Sequence, residues 1–123
     1  MSKKILTVDD SATVRRLIQL ALKSKGFESI QAEDGLAALE VLNHERADAI
    51  ILDINMPRMN GLEFLQKIKS EEAYADIPVV MLTTEWQDED KERAFALGVS
   101  KYLIKPFTPP QLATALEEVL QDR

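Results

Sequence analysis

Asp9 and Asp10, Asp53, Thr83 and Thr84, and Lys105 each stand directly after a short, mostly apolar run. Three carboxylates brought close together repel one another and invite a hard divalent cation. Mg²⁺ suits such a set, because it takes one or two carboxylates, keeps several waters and accepts a phosphate oxygen. A carboxylate such as Asp53 can also attack phosphorus, giving an aspartyl phosphate. Phosphoryl transfer asks a protein mainly for positioning and charge neutralisation. Mg²⁺ and the Lys105 ammonium would neutralise the phosphoryl oxygens, and the Thr83 hydroxyl would donate a hydrogen bond to one of them. No general base is needed, since the carboxylate is already ionised.

This chemistry requires elements that bring four distant segments to one edge. Apolar runs over 5–8, 29–32, 49–52, 79–82 and 102–104 read as strands, and helical spacing separates them. Val14, Leu17, Ile18, Ala21 and Leu22 mark the first helix, which Gly26 stops. Leu36, Leu39 and Leu42 mark the second, after Asp34 and Gly35. Leu62, Leu65 and Ile68 mark the third, and a fourth runs from about 88 to 97 and stops at Gly98. Leu112, Leu116, Val119 and Leu120 mark the fifth. Pro57 and the Asn60-Gly61 pair read as turn signals in the loop after Asp53. Five such strand–helix units, with strands apolar on both faces, predict an α/β fold: a parallel sheet covered by helices on each side. In open sheets of this kind, ligands bind at the carboxyl ends of the strands, where the strand order reverses.

The chain of 123 residues is the size of one domain, and with 46% hydrophobic and 29% charged residues it has the balance of a soluble globular protein. No cysteine is present, which excludes disulfides and thiolate metal sites. The longest apolar runs are too short to span a bilayer, so no membrane insertion is expected. Net charge of −6 argues against nucleic-acid binding, which needs a basic face. A cytoplasmic location follows as the expectation.

Val8-Asp9-Asp10-Ser11, the stretch 53–61 (Asp53, Ile54, Asn55, Met56, Pro57, Arg58, Met59, Asn60, Gly61), Leu82-Thr83-Thr84-Glu85 and Lys105-Pro106-Phe107 together resemble the receiver domains of bacterial two-component response regulators, most closely the stand-alone chemotaxis type. The resemblance covers essentially the whole chain. It implies a single receiver domain over 1–123 with no output domain, and a doubly wound, flavodoxin-like (βα)5 fold with strand order 2-1-3-4-5. It implies that Asp53 is the phosphoacceptor, taking a phosphoryl group from a histidine kinase in a Mg²⁺-dependent reaction. Asp10 matches a direct Mg²⁺ ligand, Asp9 a ligand acting largely through water, and Asn55 a ligand through its backbone carbonyl. Lys105 matches the residue that pairs with the phosphoryl group, Thr83 and Tyr102 the two switch positions, and Asn55 and Glu85 the positions that tune phosphoryl lifetime. The implied protein is a monomeric signalling switch rather than an enzyme, read out by a downstream effector on its fourth helix, fifth strand and fifth helix. The Lys105–Pro106 bond is expected to be cis. Two departures stand out. Thr84 occupies a position where the family has a small residue, which would narrow access to Asp53. Gln87-Asp88-Glu89-Asp90 replaces the basic start of the fourth helix found in motor-binding regulators, which argues against a flagellar-motor target.

Other residues read as structural. His44, the only histidine, is expected to be a solvated helix-end residue, and Trp86 a surface residue beside the site. Met56, Met59 and Met81 read as packing residues. Two rival functions fit less well. A phosphohydrolase of the haloacid dehalogenase class would carry its Asp-x-Asp after the first strand and a cap domain. A flavin-binding module would need a phosphate-binding loop where Asp9 and Asp10 would repel phosphate.

Overall fold

The computed structural model describes residues 2–84 and 88–121. Strands and helices alternate: β1 (Lys4–Val8), α1 (Ala12–Ser24), β2 (Glu28–Ala32), α2 (Gly35–His44), β3 (Ala49–Asp53), α3 (Gly61–Lys69), β4 (Val79–Thr83), α4 (Asp88–Ala96), β5 (Lys101–Ile104) and α5 (Pro109–Gln121). The strands are all parallel, in the order β2-β1-β3-β4-β5. This is the doubly wound order that the resemblance implied. Side chains alternate between the two faces of the sheet. Ile5, Ala49, Ile51, Val80 and Leu82 pack with α1 and α5, through Ile18, Leu22, Leu112 and Leu116. Leu6, Val8, Ile50, Leu52, Val79 and Met81 pack with α2, α3 and α4, through Leu42, Phe64, Leu65, Ile68 and Ala94. β3 and β4 are buried along their whole lengths, which is why they read as continuous apolar runs. Each fully buried Leu, Ile or Phe contributes about 1.5–3 kcal/mol relative to exposure.

Helix starts are fixed by side-chain caps that satisfy orphan amides. Ser11 accepts from the Val14 amide at 3.2 Å to cap α1, and Asp34 accepts from the Ala37 amide at 2.9 Å to cap α2. Asn60 and Glu63 form a reciprocal capping box at α3. The Asn60-Gly61 pair is therefore a helix start rather than a turn, and the loop's sharp bend lies earlier, at Arg58, whose φ is 63°. Thr108 and Gln111 form a second reciprocal pair at α5, with Pro109 as its first residue. Gly26 and Gly98 end α1 and α4 with φ of +82° and +100°, the backbone that favours glycine at a helix end. His44 is exposed, and its Nε2 lies 3.0 Å from Glu40 Oε1, an i,i+4 partner that the sequence reading did not see. Met81 is fully buried, and Met56 and Met59 pack against the same core.

Candidate functional site

The strand order reverses between β1 and β3, since β1 has β2 on one side and β3 on the other. The crevice at this switch point is lined by Asp9 and Asp10 after β1 and by Asp53 at the end of β3. One carboxylate oxygen from each of the three can be chosen so that all lie within 4.8 Å of one another. Opposite oxygens around a Mg²⁺ bound at about 2.1 Å stand about 4.2 Å apart. The cluster thus has the size and the hard-oxygen chemistry that such a cation needs, and it could hold a metal. Asp10 is exposed and faces solvent, whereas Asp9 is fully buried. Asp9 Oδ1 accepts from the Ser11 amide and Oδ2 from Lys105 Nζ, both at 2.9 Å.

Lys105 also reaches Asp53, with Nζ 3.4 Å from Oδ1. One ammonium therefore serves two buried carboxylates. Burial pushes the Asp53 carboxyl up, and the Asp9 charge pushes it further, to about 6, against the pull of Lys105 and the Asn55 amide. Burial disfavours the charged Lys105, but its hydrogen bond to Asp9 and the field of Asp53 outweigh that and hold it above the ordinary lysine value. The cluster is short of positive charge. A cation, or a ligand that brings one, would supply it.

Thr83 ends β4 with 1% exposure, and its carbonyl accepts from the Lys105 amide at 2.6 Å. Tyr102 pairs with Met81 across β4 and β5, half-buried against the α3–α4 side of the core. Burial raises the pKa of its phenol, a hydrogen bond with the Thr83 side chain opposes the rise, and Asp90 adds to it. The Tyr102 ring stacks on Phe95 of α4 with centroids 6.3 Å apart. Thr83, Tyr102 and Lys105 thus form a continuous strip from the carboxylate cluster to the outer face. The Lys105–Pro106 bond is cis, as the resemblance implied. Asn55 is exposed next to Asp53. Glu85 and Trp86 lie outside the described residues.

The response regulator receiver domain profile matches residues 5–117. This chain belongs to the response regulator receiver domain family. It is 43% identical over 119 residues to a chemotaxis protein CheY homolog of Campylobacter jejuni, covering 95% of this chain and 92% of that protein. It is 36% identical over 121 residues to the phosphate regulon transcriptional regulatory protein PhoB of Escherichia coli, matching 98% of this chain but spanning only 53% of PhoB. The solved structure of the Vibrio cholerae chemotaxis protein CheY4 superposes with a TM-score of 0.92 at 39% identity, covering 97% of this chain and 99% of that one. Receiver domains of this kind are signalling switches rather than enzymes in the ordinary sense.

Three features of this receiver's site escaped the sequence reading. Arg15, on the first turn of α1, donates from Nη1 to the Asp9 carbonyl at 2.7 Å and from Nε to Gln31 Oε1 at 3.3 Å, tying down the turn that carries the acidic pair. Asp34 and Arg58 form an ion pair beside the loop after β3, with Arg58 Nε 2.6 Å from Asp34 Oδ2. Thr84 is exposed and lines an apolar groove of about 370 Å³ with Val14, Leu17, Lys105 and Phe107, on the α1 side of the receiver. A basic residue four positions past a helix cap was the available signal for Arg15. For the 34–58 pair the separation in sequence left none.

Proposed function

We propose that this receiver is a phosphorylation-dependent switch of a two-component system, with Asp53 as the acceptor and a histidine kinase phosphohistidine as the donor. The observation that carries this is one nearly sealed carboxylate, Asp53, clustered with Asp9 and Asp10 and sharing the Lys105 ammonium with Asp9. With a pKa of about 6, Asp53 is mostly ionised at neutral pH and needs no base. Its oxygen attacks phosphorus, the P–N bond to the donor imidazole breaks, and the imidazole leaves with a proton from solvent. Lys105 pairs with a phosphoryl oxygen as the transferred charge arrives. Mg²⁺, when bound, would supply charge neutralisation for the phosphoryl oxygens. Asp10 would hold it directly, Asp9 through water, and Asn55 through its backbone carbonyl, as the family resemblance implies. Asn55 and Glu85 tune the lifetime of the product.

Thr83 carries the signal away from Asp53. A phosphoryl oxygen draws its hydroxyl by a charge-assisted hydrogen bond, and the Tyr102 ring moves into the space that opens. The effector then reads the face formed by α4, β5 and α5. The reading includes a single receiver domain over 1–123, monomeric, cytoplasmic and binding no nucleic acid. None of the described helices is long and apolar enough to cross a membrane. The effector is a protein, and the acidic start of α4 disfavours a flagellar-motor surface built for basic residues.

Incubation with acetyl phosphate and Mg²⁺, followed by intact mass spectrometry, tests the acceptor. One phosphoryl group should add to the parent and none to Asp53→Asn; equal labelling of that variant would overturn the assignment. For the output, Thr83→Val should still be labelled but should leave a fluorotyrosine signal at 102 unmoved on adding beryllofluoride and Mg²⁺, with Tyr74 as the internal reference.

A further inference from the structure

The loop joining β3 to α3 is closed at its base and bent sharply at its tip. At the base, the Gly61 amide donates to the Ile54 carbonyl at 2.9 Å, and a Cβ on Gly61 would stand 2.3 Å from the Asp53 carbonyl oxygen. At the tip, the Met59 amide donates to the Pro57 carbonyl at 2.7 Å, closing a three-residue γ-turn around Arg58. Arg58 has φ of 63° and, among the described residues, is the one non-glycine residue with positive φ. A γ-turn with positive φ at its centre is rare and strained.

Something must hold it. Arg58 directs Nε and Nη2 onto Asp34 Oδ2. Asp34 is 2% exposed, and its other oxygen caps α2 through the Ala37 amide at 2.9 Å, so the anchor cannot shift without uncapping that helix. The neighbouring contact is equally close: a Cβ on Gly35 would stand 2.7 Å from Met59 Cγ. The tip of the loop is thus fastened to the start of α2, and Asn55 lies on the span between the fastened tip and the acceptor.

We propose that Arg58 and Asp34 are positioning residues for cation binding: their ion pair clamps the strained tip of the β3–α3 loop, so that the Asn55 backbone is already beside Asp9, Asp10 and Asp53 before the cation arrives. This rests on the metal-dependent reading above. A loop held in place spares the ordering that binding would otherwise require. The planar guanidinium fork suits the task, and an ammonium does not reproduce it.

The test is Mg²⁺ titration of the full chain by isothermal calorimetry, with amide hydrogen exchange at Met59. On charge alone, removing a cation near a cation site strengthens Mg²⁺ binding. Arg58→Ala should instead weaken it about 10-fold, in the range for groups that orient metal ligands, and should speed exchange at Met59. Arg58→Lys should not restore it. Adding Asp34→Asn to Arg58→Ala should weaken it by less than the two single effects combined, because both act through one contact. At saturating Mg²⁺ every variant should still reach full labelling by acetyl phosphate. Mg²⁺ binding to Arg58→Ala as tight as to the parent, with parent labelling intact, overturns the clamp alone. A parent that neither binds Mg²⁺ nor accepts phosphate overturns the functional reading as well. If Arg58→Ala fails to fold, Arg58→Gly accepts the positive φ and carries the same expectation.

Discussion

Asp34 and Asp53 are nearly equally sealed, at 2% and 5% exposure, and both lie at the loop-bearing end of the sheet. Their electrostatic situations are opposite. Asp34 accepts the Ala37 amide and, despite its burial, is held below the usual carboxylate range by that bond and by a guanidinium of its own. Asp53 is pushed up to about 6, first by burial and then by the charge of the fully buried Asp9, with which it shares one ammonium. A carboxylate kept for structure is fully compensated where it stands. A carboxylate kept for reaction is left short of positive charge, so that something arriving from outside completes it. The same buried group stabilises the fold in one place and strains it in the other.

The largest effect that would sharpen this contrast is the response to metal. At 100 times its dissociation constant, Mg²⁺ should raise the unfolding free energy by about 2.7 kcal/mol. Urea titrations with and without Mg²⁺ should show most of that increment lost in Asp10→Ala, and an undiminished increment would remove Asp10 from the site. Next comes the compensated partner. Asp34→Ala strips the α2 cap and the brace of a strained turn, and should lower stability by about 2 kcal/mol in the same titration without Mg²⁺, and by somewhat more with it, because the loosened loop binds the cation less tightly. A loss that appeared only with Mg²⁺ present would place Asp34 in the wrong half of the comparison.

The smallest effect is also the one that separates the two groups by pH. Because the folded-state pKa of Asp53 is raised from 3.8 to about 6, the folded protein binds that proton more tightly than the unfolded chain does. Its stabilising contribution is complete below about pH 4 and is lost as pH rises through 6. Without metal, Asp53→Asn should therefore be more stable than the parent at pH 7.5 by about 1–2 kcal/mol, less than the full shift would give because water screens the mouth of the site. The gain should disappear near pH 4. Asp34 has the opposite sign: its depressed pKa contributes stability above its ordinary value, lost as pH falls through the lowered one.

The sequence carried the elements well because periodicity and strand ends coincide with chemistry here. Apolar runs located all five strands to within a residue at each end, and β3 and β4 each extend to take in the polar residue that closes them, Asp53 and Thr83. Asp9, Asp10, Asp53, Thr83 and Lys105 were legible because parallel strands deliver their last residues to one edge, so local order predicts spatial grouping. The distribution of charge within that group was not legible. Nothing local says that Lys105 binds Asp9 more closely than Asp53, or that Tyr102 rests against both Thr83 and Phe95. Arg58 and Asp34 are 24 positions apart, and Arg58 looks like any exposed loop arginine until its φ is known. Asn60 was misread for a related reason: Asn-Gly signals a turn and a helix cap alike, and only Glu63 three places on distinguishes them.

Gly61 has a meaning for how this chain can vary through descent. Its missing side chain is the space occupied by the Asp53 carbonyl oxygen, 2.3 Å from where a Cβ would sit. Even alanine there would displace the backbone of the residue on which the proposed chemistry depends. Gly26 has nothing within 4 Å of its would-be Cβ, so its constraint is backbone angle alone, and asparagine is a tolerable heir. Substitution is therefore expected to be tolerated at 26 and not at 61. A tightly constrained letter beside the acceptor is thus one that contributes no side chain at all.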